Sequence, residues 1–177
     1  SNEGIPSHAL REICTLRLLD HPNIIKLHGV EIGPADTIYL YFDFLTTDLK
    51  EYLKARRSEP LSQQRFQYFS RQCLSGLTYL HCNSVIHRDL KPANLLIDCV
   101  NDVIKICDFG LARHFTFPLR PYTHEVITQW YRAPEIILGQ SIYSPSVDVW
   151  SLGIIFAEMI NGTPLFVGRF FSGPIES

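Results

Sequence analysis

The run His87-Arg88-Asp89-Leu90-Lys91-Pro92-Ala93-Asn94 constrains this chain more than any other. It puts a carboxylate (Asp89), a cation (Lys91) and an amide (Asn94) within six residues of a polar loop. Asp108-Phe109-Gly110 adds a second carboxylate directly after a short apolar run. Any fold must therefore hold polar loops among core segments. The oxygens of Asn94 and Asp108 make a hard-donor set suited to Mg²⁺, which keeps its waters and leans on substrate phosphates. A separate Asp can accept a hydroxyl proton, and a Lys can neutralise charge on a transferring phosphoryl group. Either tripeptide alone would be unremarkable; the order and company of the motifs carry the reading.

The pattern around these loops predicts mixed secondary structure. Ile5-Pro6-Ser7 opens a helix with Ser7 as its cap and Ala9, Ile13 and Leu16 as its apolar stripe. His21-Pro22-Asn23 ends it, because a residue before proline avoids helical angles. Apolar runs at 24–30 and 37–44, split by Gly33-Pro34, predict paired strands. A short polar helix is expected over 48–57, and a longer one over 61–81. The longer helix would put Phe66, Phe69, Leu74, Leu77 and Leu80 on one face. Short strands are expected at 95–97 and 103–107. Residues 109–135 show little regular pattern, the mark of a functional loop. A very apolar helix follows over 147–160, with Gly162 as its stop.

Composition narrows the class. At 177 residues and 46% hydrophobic, the chain supports one core and is too short for two full domains. A net charge of −2 gives no global pull toward nucleic acid or anionic membrane. The five cysteines (Cys14, Cys73, Cys82, Cys99, Cys107) are odd in number and form no C-x-x-C pair. They read as scattered buried thiols in a reducing compartment. No run is apolar enough to span a bilayer, and Ser1-Asn2-Glu3 is no signal-peptide start. The expectation is an intracellular protein of the cytoplasm, the nucleus or both. Met159 is the only methionine, so the chain is expected to be a piece of a longer product.

Four motifs stand in one order: H-R-D-L-K-P-A-N at 87–94, D-F-G at 108–110, A-P-E at 133–135 and D-V-W-S-L-G at 148–153. Together they resemble the signature set of protein kinases. Residues 3–13, Glu-Gly-Ile-Pro-Ser-His-Ala-Leu-Arg-Glu-Ile, look like the cyclin-binding helix of cyclin-dependent kinases. The segments Tyr122-Thr123-His124-Glu125-Val126-Ile127-Thr128 and Trp130-Tyr131-Arg132 are similar to that group too. The resemblance runs from about residue 3 to residue 166.

It implies an α+β, two-lobe kinase fold, with a small-lobe remnant over 1–44 and a truncated, mainly helical large lobe over 45–177. It implies transfer of the γ-phosphate of ATP, with Mg²⁺, to Ser/Thr-Pro sites of proteins. By resemblance, Asp89 orients or deprotonates the substrate hydroxyl, Lys91 meets the γ-phosphate, and Asn94 and Asp108 hold Mg²⁺. Thr128 braces Asp89 and Lys91. Asp43 and Leu45 bond adenine through their backbones behind the gatekeeper Phe42, Asp48 reaches the ribose, and Leu96 underlies the base. Plain core packing would equally explain Phe42, Leu45 and Leu96. Thr123 resembles an activating phosphorylation site for an upstream kinase, with Arg11, Arg88 and Arg113 as its phosphate ligands. Val126, Ile127 and Arg132 resemble the pocket that favours proline after the target residue. A cyclin would bind through the helix at 5–13.

The chain also departs from that family. Its ten glycines never form G-x-G-x-x-G, and its first lysine is Lys26. Glu12 therefore has no preceding strand lysine to pair with. Unpaired, it would repel a bound triphosphate. Residues 167–174 leave the family pattern, so Glu135 lacks its expected arginine. Ile154, Ile155, Phe156 and Met159 are expected to lose cover and expose apolar surface. Ala93 stands where the subgroup has glutamine, and His8 and Leu10 alter the cyclin helix. These departures favour two other readings of the segment: a non-catalytic module that binds a cyclin or substrate, or a product with no independent function.

Overall fold

Helix α1 (Ser7–Leu18) ends four residues short of Pro22, as the proline requires. The computed structural model describes residues 7–34, 37–56, 59–109, 112–114, 130–140 and 144–167, with α1 side chains from Ile13 onward. Ile13 and Leu16 are buried, which carries the expected stripe as far as it can be followed. Strands β1 (Leu27–Ile32) and β2 (Ile38–Phe42) form an antiparallel pair, with Leu27 opposite Phe42 and Ile32 opposite Ile38. The first strand starts later than its apolar run suggests. Ile24 and Ile25 turn away from the hairpin and dock on Ile106, where Ile25 N–H donates to Ile106 O at 2.9 Å and Ile106 N–H to Asn23 O at 2.9 Å. Both isoleucines are buried, so burial rather than hairpin pairing claimed them.

A second sheet has three strands in the order β3 (Thr47–Asp48), β5 (Leu95–Asp98), β6 (Val103–Ile106). Between them come α2 (Leu49–Ala55), α3 (Gln63–Cys82) and β4 (Val85–Ile86). Asp48 caps α2 through Glu51 N–H at 2.9 Å, and Ser62 caps α3 through Arg65 N–H at 3.3 Å, so α2 begins just after its expected start at Asp48 and α3 two residues after its expected start at Leu61.

Helix α3 is the spine of the core. It buries Phe69, Cys73, Gly76, Leu77 and Leu80, while Leu74 is exposed. Leu74 lies about 140° around the helix from Phe69, too far to share its face. Gly76 lets α3 close on the 23–25 segment: a Cβ there would sit 2.9 Å from Asn23 O. Asn23 fills that junction, donating through Nδ2 to Gln72 Oε1 (2.8 Å) and Ile104 O (2.9 Å).

Among the described residues, the stretch expected to be patternless holds β7 (Arg113–His114), paired with β4, and the start of the one-turn α4 (Pro134–Ile137). Helix α5 (Ser146–Asn161) packs on α3 and stops at Gly162, whose φ of 77° is the left-handed C-cap the sequence suggests. Two expectations fail. Ile154, Ile155 and Met159 are buried and Phe156 is half-buried, because α3 and the rest of the core cluster cover them. On α5 the large apolar side chains that show are Val149, Trp150 and Ile160. The thiols are all free, but Cys14, Cys82 and Cys99 are exposed; Cys73 alone is fully buried. No described helix is long and apolar enough to cross a membrane.

Candidate active site

The loop at 87–94 is held from below by one buried carboxylate. Asp148, in the first turn of α5, accepts from His87 N–H and Arg88 N–H, both at 2.8 Å, and lies 2.9 Å from His81 Nε2. His87 itself is fully buried, with Nε2 2.9 Å from Cys107 O and its ring edge-on to Phe109. Arg88 takes the left-handed backbone region (φ 74°), a strained geometry for a non-glycine, which the Asp148 anchor sustains.

Above this base the loop gathers its polar groups. Asp89 is buried. Its Oδ2 takes a charge-assisted bond from Lys91 Nζ at 2.5 Å and a longer one from Asn94 Nδ2 at 3.3 Å. Asn94 Nδ2 also reaches Asp89 O at 2.9 Å, and Cys107 N–H donates to Asn94 O at 3.0 Å. That last bond ties the loop to the strand leading into Asp108. Asp108 sits at φ 65° with an exposed side chain, while Phe109 behind it is buried.

A cavity of about 250 Å³ opens beside Asp108, lined also by Leu16, Ile25, Phe42, Asp43, Leu96, Cys107 and Phe109. Its wall is mostly apolar, with Asp43 and Asp108 as the acidic residues on it. Burial, with the charges of Asp108 and Asp48 adding to it, pushes the Cys107 thiol up to about 12, so it lines the cavity as a neutral group. At Asp43, burial works against the charged form, but bonds from Lys105 and His28 outweigh it and hold the carboxyl below its usual range.

The fold thus gathers the sequence candidates into two groups, Asp89 with Lys91 and Asn94, and Phe42 with Asp43, Leu96 and Asp108. Leu45 lines the neighbouring recess instead. Asp48 pairs across the sheet with Leu96, yet one of its oxygens caps α2. Arg132 is half-buried. Thr123, Val126, Ile127 and Thr128 lie outside the described residues, as do the side chains of Arg11, Glu12 and Arg113. Glu135 is half-buried and pairs with no cation among the described residues.

Asp148 is the residue the sequence reading passed over. It stood inside a recognised motif but without a role. The available signal was one carboxylate in the first turn of a very apolar helix, which a fold buries only with partners. His81, six residues before the loop's first imidazole, is its side-chain partner.

The fit of a divalent cation rests on the donors. Asp108's carboxylate bonds no described side chain, and Asn94, with its NH₂ turned to Asp89, keeps its amide oxygen for another partner. One carboxylate and one amide oxygen suit a cation that draws its other ligands from water and phosphate. Among the described residues, no cluster of three or more His, Cys, Asp or Glu would make an all-protein metal cage. A family model described as protein kinase domain matches residues 1–171.

Proposed function

The chain belongs to the protein kinase family, and from that premise we propose that it is the catalytic-loop portion of a cyclin-dependent serine/threonine kinase acting on Ser/Thr-Pro sites. Members of that family use ATP and a divalent metal. The observation that carries the reading is the Asp89–Lys91–Asn94 cluster on a loop anchored by Asp148, beside a cavity that Asp108 closes.

In this reading Leu96 underlies the adenine, whose edge meets the backbone of Asp43 and Leu45 with Phe42 as the gatekeeper behind it, and the ribose lies toward Asp48. Asn94 and Asp108 hold Mg²⁺, which when bound offsets charge on the phosphate oxygens. Asp89 orients the incoming Ser or Thr hydroxyl and takes its proton. Lys91, already 2.5 Å from Asp89, turns its charge to the transferred phosphoryl. Thr128 braces the pair, and Glu12 would pair with a cation brought from outside this chain. Phosphate on Thr123, added by an upstream kinase, draws Arg11, Arg88 and Arg113 together; Val126, Ile127 and Arg132 receive the proline of the substrate.

The test is a peptide assay on the full protein, with and without cyclins, comparing Ser-Pro and Ser-Ala peptides. Cyclin-dependent labelling of the Ser-Pro peptide is expected; equal labelling of both, or none with any cyclin, would overturn the finer assignment. One observation favours a second reading for the segment alone. The chain contains neither G-x-G-x-x-G nor a lysine ahead of Glu12, so by itself it would bind a cyclin or substrate without phosphorylating it.

A further inference from the structure

The segment from Asp43 to β3 meets the cavity at Asp43 and is held farther along by Leu45, packed on the core, and by Cys99 N–H on Thr46 Oγ1 at 3.3 Å. Among the described residues it pairs with no strand over 43–46, and Phe44 is 93% exposed. At the cavity its fixed point is the Asp43 side chain. Oδ1 lies 2.6 Å from His28 Nε2 on β1, and Oδ2 is bonded by Lys105 Nζ on β6. These contacts come from different sheets: among the described residues β1 pairs with β2 alone, and β6 belongs to the three-stranded sheet with β3 and β5. Asp43 therefore staples the two sheets at the edge of the cavity. The Asp43 and Lys105 side chains are both mostly buried, so their attraction is less screened than at a surface. Lys26 also feels Asp43, but its Nζ is bonded to Asp20 at 2.9 Å. Asp43 N–H adds only a long bond to Lys26 O, at 3.3 Å.

We propose that Lys105 and His28 are positioning residues: by gripping the Asp43 carboxylate from two sides they set the pose of the 42–45 backbone that the nucleotide meets. The link to nucleotide rests on the reading given above; the grip itself does not. Neither residue touches the proposed ligand. Lys105 alternates with the buried Ile104 and Ile106 on β6, which leaves its stem packed and its ammonium free to reach Asp43.

The experiment has two readouts on the full protein. The first is hydrogen–deuterium exchange of amides 43–46 in wild type, Lys105→Met, Lys105→Arg and Asp43→Asn. Lys105→Met and Asp43→Asn should speed exchange there about tenfold, and Lys105→Arg should restore most of the protection. His28→Gln, a change at a half-exposed side chain, should give a smaller increase and guards against misfolding of the other variants. Unchanged exchange in both Lys105→Met and Asp43→Asn would overturn the proposal. The second readout is affinity for ADP with Mg²⁺, which should weaken several-fold in Lys105→Met and recover in Lys105→Arg. Loss of ADP affinity that arginine does not rescue would also count against it. A wild type that binds no ADP would overturn the nucleotide reading instead, and the exchange data would still decide the grip.

Discussion

Asp148 and His87 stand 61 residues apart in sequence, yet the Asp148 carboxylate accepts the His87 N–H at 2.8 Å inside the core. The same carboxylate takes the Arg88 N–H and faces His81 Nε2. A single buried charge thus sets the pitch of the loop that presents Asp89. Replacing it by Asn turns an NH₂ toward donors that need an acceptor. Asp148→Asn should cost about 2–4 kcal/mol in urea unfolding, since bonds to a charged group contribute roughly 1.5–3 kcal/mol each and buried donors left unmet add to the loss. Unfolding within about 0.5 kcal/mol of wild type would contradict this anchor.

Gly76 makes an opposite test, because helix propensity and packing disagree. Alanine is the better helix former by about 1 kcal/mol. Its Cβ would nonetheless meet Asn23 O at 2.9 Å and Ile106 Cδ1 at 3.2 Å. The first of these neighbours is backbone tied to Ile106 and cannot swing aside. Gly76→Ala should therefore destabilise by about 1–3 kcal/mol. A stabilised variant would show that α3 and the 23–25 segment are not closely docked.

His21 joins α1 to α3. Its Nδ1 accepts Asn23 N–H at 3.1 Å, Nε2 lies 3.1 Å from Ser75 Oγ, and the ring stacks on Tyr79. Burial lowers its pKa, so the folded state prefers the neutral ring. Its contribution is then complete above the usual histidine value of about 6.5 and is lost as pH falls below it. Melting temperature should decline from pH 7.5 to 5.5, and His21→Gln should flatten that slope. An identical slope in the variant would place the titration elsewhere.

The Tyr131–Glu158 bond runs the other way. Tyr131 O–H donates to Glu158 Oε2 at 2.7 Å, and both residues are buried. Burial raises the Glu158 carboxyl more than the tyrosine bond lowers it, and burial and Glu158 together hold the Tyr131 proton on. A carboxyl raised on folding supports the fold below its unfolded value, about 4.3, and that support is lost as pH rises through the folded value. Glu158→Gln should remove the loss, gaining relative to wild type at pH 7 compared with pH 4. Equal differences at both pH values would show that folding does not shift the Glu158 carboxyl.

Much of this architecture is written in local pattern. The helices start at their capping residues, Asp48 and Ser62, or stop where Pro22 and Gly162 require. The loop at 87–94 and Asp108 emerge as loops because nothing in them has a helical or strand period. What the pattern does not carry is long-range choice. Ile24 and Ile25 fit a hairpin strand as well as a bridge to Ile106, and only the buried seat beside α3 decides between them. Leu74 is apolar at a plausible spacing but falls on the wrong side of α3. Two-residue strands such as β4 and β7 have no period at all. The roles of Asp148 and Lys105 depend on partners about 60 residues away, and that of His28 on one 15 residues away.

The most direct test of the central claim is phosphoryl transfer by Asp89→Asn in the full protein, measured with radiolabelled ATP. Asparagine keeps the shape and the Asn94 contacts while removing the charge that meets Lys91. A fall in the transfer rate of about 10²–10⁴-fold, with the melting temperature close to wild type, is the predicted result. Transfer at the wild-type rate would contradict the assignment of the 87–94 loop as the catalytic loop.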